Sequence, residues 1–197
     1  LPSGNLIASG QFATAGGVAV NSIARWDGTS WSPLGSGTLP VGVFALTTLP
    51  NGDLVAGGRF TTAGSVAASR IARWDGSAWL ALGSGIGNPV FALTTLPNGD
   101  LVAGGAFTTV GSVAANFIAR WNGTSWSPLG AGVDATVTAL TTLPNGDVVA
   151  GGQFTTAGSV AANHIARWDG TSWSPLGAGM NGVVNALTTL ANGDLVA

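Results

Sequence analysis

The sequence repeats itself with a period of 47 to 48 residues. An Arg-Trp dipeptide recurs four times, and a phenylalanine and a second tryptophan recur with the same spacings. The recurring positions are Arg25-Trp26, Arg73-Trp74, Arg120-Trp121 and Arg167-Trp168, then Phe12, Phe60, Phe107 and Phe154, then Trp31, Trp79, Trp126 and Trp173. A fixed period of this length predicts a repeat architecture in which each unit buries its apolar faces against its neighbours.

Each repeat contains four candidate strands, which we name A to D. In the second repeat they span residues 43–49, 54–60, 71–74 and 78–82, and a loop of about ten residues joins B to C. Asn51-Gly52 between A and B, and Asp75-Gly76 between C and D, are typical of turns between antiparallel strands. Four such strands in a period of about 40 to 50 residues are typical of one propeller blade. The sequence therefore predicts an all-β fold, a β-propeller of four-stranded antiparallel blades with four blades per chain.

Proline and glycine positions support this strand order. Pro33, Pro128 and Pro175 fall in strand D. Strand D is the outer edge of a propeller blade, and strands tolerate proline essentially only at an edge. Paired glycines end strand B at 57–58, 104–105 and 151–152. We expect them to allow close approach between packed blades, or a backbone conformation closed to other residues.

The unit resembles a kelch repeat. The segments that carry the resemblance are LVAGG, then IARWDG, then SW followed by Pro-Leu-Gly. One departure is the tryptophan at Trp26, Trp74, Trp121 and Trp168, where kelch repeats usually carry tyrosine. The resemblance covers the whole chain and implies propeller architecture. It implies no single function, because kelch propellers include protein-binding modules, sugar-binding modules and enzyme scaffolds.

We interpret residues 1–197 as a single propeller or half-propeller. Its repeats span approximately 1–42, 43–89, 90–136 and 137–183, and a partial repeat spans 184–197. Strand A of the partial repeat can complete the first blade, but residues 190–197 then duplicate 1–8. Three outcomes stay open: an eight-bladed ring from two chains, a segment of a longer protein, or a four-bladed ring. The duplicate also makes strand exchange between copies an expectation. Because the chain begins at Leu1 without methionine or signal peptide, we expect a processed, excised or engineered fragment.

The composition argues against several function classes. Charged residues make up 7% of the chain, against about 25% in an average globular protein. The net charge of −2 offers no basic surface for nucleic acid, and no apolar run approaches the roughly 18 residues of a membrane span. Cysteine and tyrosine are absent and His164 is the one histidine, which excludes the copper chemistry of kelch-fold oxidases. We therefore predict no catalytic residues, no metal site and no cofactor.

The recurring charges have structural interpretations. Asp27, Asp75 and Asp169 open the C–D turn, where Asn122 stands in the fourth copy, and an Asp follows Asn-Gly in each A–B turn. We interpret these residues as turn formers rather than calcium ligands, because Asp bonds its own turn backbone. Alternation within strand C places the repeated arginine on a covered face of the blade. A half-buried guanidinium needs an acceptor, so we predict a set of Arg–Asp pairs with the turn aspartates.

The differences between repeats gather in the D–A connections and at the ends of the B–C loop. Strand polarity places both on one face, and loops on a rigid scaffold often carry function. The nonrepeated charges there are the candidate ligand face: Arg59, Arg70, Asp134 and His164. Arg59 and Arg70 are expected to be neighbours that form a local cationic spot.

The function predicted from the sequence is a non-catalytic repeat scaffold for binding or self-assembly. Its partners are other copies of the chain in a homo-oligomer, with a protein or glycan ligand as a further expectation. The alternatives are a lectin-like propeller that binds sugars on tryptophan faces, and a carbohydrate-active enzyme, which requires two carboxylates about 5 to 9.5 Å apart. A surface rich in Ser, Thr and Asn without Lys or Cys favours an extracellular or cell-surface location in a bacterium.

Overall fold

A computed structural model describes residues 4–40 and 42–197. The start of the first predicted repeat, residues 1–3, and Val41 in the first D–A connection lie outside the described residues. Contacts divide the chain into two compact units, Leu1–Val90 and Phe91–Ala197. The regular elements of the described ranges are all β-strands. Among these residues, no helix has the length and apolar composition needed to cross a membrane.

The first unit holds two main sheets, together with a small three-stranded sheet and a hairpin that are formed by two-residue loop strands. In chain order its strands are β1 (Leu6–Ser9), β2 (Thr14–Ala15), β3 (Val18–Ala19), β4 (Ile23–Trp26), β5 (Trp31–Pro33), β6 (Thr38–Leu39), β7 (Val43–Thr48), β8 (Leu54–Gly58), β9 (Thr62–Ala63), β10 (Val66–Ala67), β11 (Ile71–Trp74) and β12 (Trp79–Ala81). The first sheet has the order β1-β4-β5, and the second has the order β12-β11-β8-β7. Neighbouring strands in both sheets are antiparallel.

The second unit repeats the pattern. Its strands are β13 (Val90–Thr95), β14 (Leu101–Gly105), β15 (Thr109–Val110), β16 (Val113–Ala114), β17 (Ile118–Trp121), β18 (Trp126–Pro128), β19 (Val137–Thr142), β20 (Val148–Gly152), β21 (Thr156–Ala157), β22 (Val160–Ala161), β23 (Ile165–Trp168), β24 (Trp173–Pro175), β25 (Thr188–Thr189) and β26 (Leu195–Val196). Its four-stranded sheets have the orders β13-β14-β17-β18 and β19-β20-β23-β24. Each follows the predicted order A, B, C, D, with the proline-bearing strand D at an edge.

The predicted strands agree with the observed ones except at their ends. Strand C of the second repeat has the predicted bounds, Ile71–Trp74, whereas strand A ends at Thr48 and strand B ends at Gly58. Strand D is shorter than predicted and covers Trp79–Ala81. The B–C loop contains a two-residue hairpin, β9 with β10, that the sequence analysis did not predict.

The core of each unit lies between consecutive sheets. In the first unit, Ile23 and Leu34 of the first repeat pack with Ala56, Phe60 and Trp79 of the second. In the second unit, the corresponding cluster joins the third and fourth repeats around Phe154 and Trp173. Strands β8, β14 and β20 are buried at every residue. Within each unit, consecutive sheets therefore bury their facing surfaces against one another, as the repeat pattern predicts.

The paired glycines permit close approach, which was one of the two expectations, and they do not adopt a left-handed backbone, which was the other. A β-carbon on Gly151 would lie 2.5 Å from Cγ1 of Val184 in the following repeat, so the first glycine permits close approach between repeats. A β-carbon on Gly152 would collide with the carbonyl oxygen of Thr136. That carbonyl accepts the amide of Gln153 where strand A carries a bulge between Val137 and Ala139. The second glycine therefore makes room for the bulge.

The last repeat keeps the spacing of the others. Thr141 Oγ1 lies 3.1 Å from Thr189 Oγ1, and the preceding pair of repeats has the same contact, 2.9 Å between Thr94 and Thr142. Strands β25 and β26 pair with each other as strands A and B do elsewhere. Residues 184–189 therefore lie against the fourth sheet as strand A of a following repeat, although only Thr188–Thr189 are regular strand.

Candidate functional site

The D–A connections and the B–C loops lie at the same end of the sheets. In the first unit, Thr38 of a D–A connection donates its amide to Asn21 of one B–C loop and pairs in β6 with Ala63 of the next. In the second unit, the amide of Asp134 donates to the carbonyl of Thr156. The expected common face therefore exists within each unit, and consecutive loops are hydrogen-bonded into one surface.

Arg59 and Arg70 flank the B–C loop of the second repeat. Their backbones are adjacent, because the amide of Gly58 donates to the carbonyl of Arg70 at 2.9 Å. The exposed guanidinium of Arg59 has its Cζ 5.9 Å from the ring centroid of Phe44, a cation–π distance. Arg70 Nη1 instead donates to the carbonyl of Phe60 at 3.2 Å. The two side chains rest on different groups, and a shared role in ligand binding stays a prediction.

Asp134, in the second unit, caps the B–C loop of the fourth repeat. Its Oδ1 accepts the amides of Thr155 at 2.8 Å and Thr156 at 3.0 Å, and its Oδ2 accepts the Thr155 hydroxyl. Partial burial by itself raises the pKa of Asp134, but the hydrogen bonds from Thr156 and Thr155 outweigh burial and hold that pKa below its usual 3.8. A glycosidase acid needs a raised pKa, so this environment is unlike that of a general acid.

His164 lies at the end of the same B–C loop that Asp134 caps. Its Nδ1 is 3.2 Å from the carbonyl oxygen of Gly152, and its amide donates to Phe154. His164, Arg70 and Phe117 occupy equivalent places in their repeats and share a left-handed backbone, with φ between 63° and 66°. This column accepts different side chains on one fixed backbone. Asp134 and His164 thus adjoin one loop of the second unit, while Arg59 and Arg70 adjoin a loop of the first.

Repeated ion pairs join strand C to the A–B turn of the same sheet. Arg73 binds Asp53 at 2.7 Å, and the next two repeats have the same pair, Arg120 with Asp100 at 2.6 Å and Arg167 with Asp147 at 2.7 Å. The carboxylate side chains are 10–12% exposed, and those of the arginines 35–44%. The predicted Arg–Asp pairs are therefore confirmed in three repeats, with the A–B turn as the source of the carboxylate.

The C–D turn aspartates act within their own turns. Asp169 Oδ1 accepts the amides of Thr171 and Ser172, at 2.9 and 2.8 Å. These bonds, the one from Ser172 first, lower the pKa of Asp169 far below its usual value. Asn122 accepts the equivalent amides of Thr124 and Ser125, so the turn needs an oxygen there rather than a charge. The interpretation of these residues as turn formers is confirmed.

Comparison with known proteins adds evidence on the fold. Residues 96–124 match a family described as a domain of unknown function, DUF5122, that forms a beta-propeller. No curated protein matches the sequence. Among solved structures, the chain is similar to the extracellular domain of a hybrid two-component system, BT4673, from B. thetaiotaomicron, with TM-score 0.57 and 10% identity, over 90% of this chain and 23% of that one.

Two other structures have similar folds. A protein of unknown function from Dyadobacter fermentans has TM-score 0.50 and 20% identity over 92% of this chain and 65% of its own. YCF48 bound to D1 peptide has TM-score 0.50 and 18% identity over 89% of this chain and 53% of its own. The chain thus spans less than two thirds of each of these three structures. The antiparallel four-stranded sheets and this likeness together decide the architecture.

The chain has the β-propeller fold. Its sheets are blades, and the equivalent residues of successive blades can be compared directly. Within residues 4–40 and 42–197, no three His or Asp side chains lie close enough together to hold a metal ion.

One cavity of the propeller carries aromatic side chains. It has a volume of about 300 Å³ and is lined by Trp168 and Trp173 together with hydroxyl groups of Ser159, Thr171 and Ser172. The two indole rings are tilted by 53°, with centroids 5.3 Å apart. Trp173 Nε1 donates to the carbonyl of Leu129 in the preceding blade, so this ring also joins two blades.

Sequence reasoning missed one contact that recurs between the B–C loops and the D–A connections. Asn116 and Asn163 donate their side-chain amides to the carbonyls of Ala131 and Ala178, which ties each B–C loop to the following D–A connection. Asn21 makes the same bond to Ser36. The signal available in the sequence was the recurrence of Asn directly before the variable positions Phe117 and His164.

Proposed function

We propose that the chain is a non-catalytic β-propeller scaffold that assembles with copies of itself by completing blades. The carrying observation is the first blade, whose sheet contains strands B, C and D, with no strand A beside them among residues 4–40 and 42–197. Within this proposal we assign the repeats to the kelch type, because each blade has the segment IARW and the Trp of strand D at the kelch positions. The strand B segment is LVAGG in the second and third blades, LIASG in the first and VVAGG in the fourth.

The first blade exposes apolar surface that other blades bury. Leu6 in strand B is 59% exposed, whereas its counterparts Leu54, Leu101 and Val148 are 0–3% exposed. A blade strand in this position normally has a strand A beside it and a further blade against it. Exposed apolar edges of this kind favour pairing with another chain.

The last repeat supplies the complementary element. Residues 184–197 contain a paired strand A and strand B. Three large hydrophobic side chains in or beside this pair are 44–48% exposed: Val183, Leu190 and Val196. The segment ALTTL of this repeat, 186–190, is identical to residues 45–49 of the second blade. A second copy therefore offers the first blade the same strand A that the other blades use.

A closed, symmetric dimer satisfies both ends at once. The last repeat of each copy completes the first blade of the other, which is an isologous arrangement. The similar structure of YCF48 is described with a bound peptide, which supports the capacity of this fold to hold polypeptide segments. Self-assembly by blade completion follows from the same packing that joins blades within the chain.

Light scattering on the intact chain over a range of concentrations tests this proposal. We expect a mass of two chains that falls towards one chain on dilution. A mass of one chain at every concentration up to about 100 μM, which is about 100 times the dissociation constant of a micromolar complex, would refute it.

A glycan site is a second candidate function, favoured by the cavity at Trp168 and Trp173. Aromatic rings bordered by hydroxyl groups suit the apolar faces and polar edges of sugar rings. Titration of tryptophan fluorescence with neutral oligosaccharides tests this function, with Trp168→Ala as the variant that should abolish the change. Equal responses from the variant and the parent would rule out this cavity as the site.

A further inference from the structure

One charged residue near each end of the repeat array lacks the ionic partner that its counterparts have. In three blades the strand C arginine binds the aspartate of its own A–B turn. Within the part of the chain that the structure describes, neither Arg25 of the first blade nor Asp194 of the last repeat forms such a pair. The first blade has Asn5 where the others have aspartate.

Arg25 is placed as the paired arginines are. It stands opposite Ile7 in the ladder, as Arg73 stands opposite Val55, so the blade geometry is the same. Its Nε donates to the Ser32 hydroxyl at 3.3 Å, whereas the Nε atoms of Arg120 and Arg167 contact carboxylates. The uncharged Asn5 cannot form the ion pair, so the first blade presents a guanidinium suited to a carboxylate.

Asp194 is held as the paired aspartates are. Asn192 donates its side-chain amide to Asp194 Oδ2 at 2.7 Å, the same distance as the bond from Asn145 to Asp147. The amide of Asp194 donates back to Asn192 at 3.1 Å. The turn therefore presents a carboxylate oriented as in the turns that bind arginine, on a residue that is exposed to solvent.

We propose that in the assembled protein residues 193–197 of one copy displace residues 4–8 of a second copy, and that Asp194 of the first binds Arg25 of the second. The inference rests on the proposed self-assembly and specifies its strand exchange. The incoming strand places Leu195 and Val196 where Leu6 and Ile7 stood, so the apolar packing is nearly conserved. The ion pair is what the exchange gains over the strand that it replaces.

Mixing two charge-reversed chains tests the pairing in trans. Arg25→Asp and Asp194→Arg each place like charges at both sites of a symmetric dimer, so each variant alone should dimerise about tenfold more weakly or worse. In a mixed dimer both sites again join opposite charges. We expect an equimolar mixture to recover an affinity within about threefold of the parent. Pairing within one chain would not recover on mixing, and that result would overturn the inference.

Asn5→Asp provides a second test that leaves both proposed partners intact. It gives the displaced strand its own carboxylate for Arg25, as in the second blade, so it should weaken dimerisation by about threefold to tenfold. Asn122→Asp adds the same charge as Asn5→Asp at an exposed C–D turn, where the other three blades carry Asp, and should leave dimerisation unchanged. Circular dichroism of each variant shows whether it is folded.

The outcomes separate the two proposals. A monomeric parent chain refutes the proposed assembly itself. A dimeric parent whose affinity is unaffected by Arg25→Asp and Asn5→Asp keeps blade completion and refutes the Asp194–Arg25 pairing, because strand A can then add beside β1 without displacing it.

Discussion

At the scale of single residues, the repeated ion pairs couple two parts of a blade that are 20 residues apart in sequence. Asp147 is nearly buried and accepts from both Asn145 and Arg167, so its charge has fixed partners. The exposed guanidinium limits the strength of the pair, because solvent screens it. The pair therefore stabilises the blade modestly and fixes the A–B turn against strand C.

Asp147→Asn should lower the free energy of unfolding by about 0.5 to 1 kcal/mol, because it removes the ionic partner of Arg167. The chain offers a matched control in Asp169→Asn, since Asn122 already occupies the equivalent turn of another blade. We expect the control to change stability by less than about 0.5 kcal/mol. Urea denaturation measures both, and equal losses would contradict the role assigned to the pair.

Gly151→Ala should destabilise the protein by about 1 to 3 kcal/mol, because the added methyl group would overlap Val184 of the next repeat. Gly182→Ala is the control, since a β-carbon there has no atom within 4 Å and its backbone is not left-handed. Thermal unfolding of the two variants gives the comparison. Similar midpoints for both would show that the blades do not approach as closely as described.

At the scale of elements, successive blades are joined by a tryptophan hydrogen bond. Trp79 Nε1 donates to the carbonyl of Leu34 at 2.9 Å in the first unit, and Trp173 makes the same bond to Leu129 in the second, at 3.1 Å. Both indoles are largely buried, at 3% and 7% exposure. A buried carbonyl that loses its donor costs stability, so this bond contributes to the interface between blades.

Trp173→Phe should therefore lower the free energy of unfolding by about 0.5 to 1.5 kcal/mol, because it removes one of the two donors of the Leu129 carbonyl, which keeps the amide of Gly132. Trp168→Phe makes a comparable change in ring size in the neighbouring, more exposed indole and should cost less. Chemical denaturation with tryptophan fluorescence as the signal distinguishes the two. A larger loss in Trp168→Phe would contradict the importance given to the bond.

Much of the blade could be predicted from the sequence because its signals are local. Strand C has its predicted bounds, since Ile71–Trp74 is a short alternating segment that ends at an Asp-Gly turn. Strand B ends two residues early because the amide of Arg59 bonds the carbonyl of Gly42 at the bulge where strand A begins, a register shift that residue alternation does not reveal. Asp134 likewise bonds a loop of the following repeat. Contacts of this kind depend on how blades pack, which no single repeat reveals.

At the scale of the whole molecule, acid should destabilise the protein. Hydrogen bonds, from Ser30 for Asp27 and from Ala78 for Asp75, lower the pKa of these carboxyls below the usual 3.8 in the folded state. A lowered folded-state pKa gives stability that is complete above the unfolded-state pKa and is lost as the pH falls below it. The chain has no Glu, so its side-chain carboxyl groups are all aspartates.

We accordingly expect the thermal midpoint to change little between pH 8 and 5 and to fall below about pH 4. A chain with Asn in place of Asp27, Asp75 and Asp169 should lose less of its midpoint on acidification. Calorimetry at a series of pH values measures this. A midpoint that is constant or higher in acid would contradict the assignment of these turns.

We propose that each blade is stabilised by a neighbouring blade, and that the first and last repeats find this neighbour in a second molecule. Hydrogen exchange measured by mass spectrometry, at concentrations on either side of the dissociation midpoint, tests it most directly. We predict that peptides covering residues 184–196 exchange more slowly in the assembly, while peptides covering Leu54–Gly58 are unchanged. Exchange in 184–196 that is equally fast at both concentrations would contradict the claim.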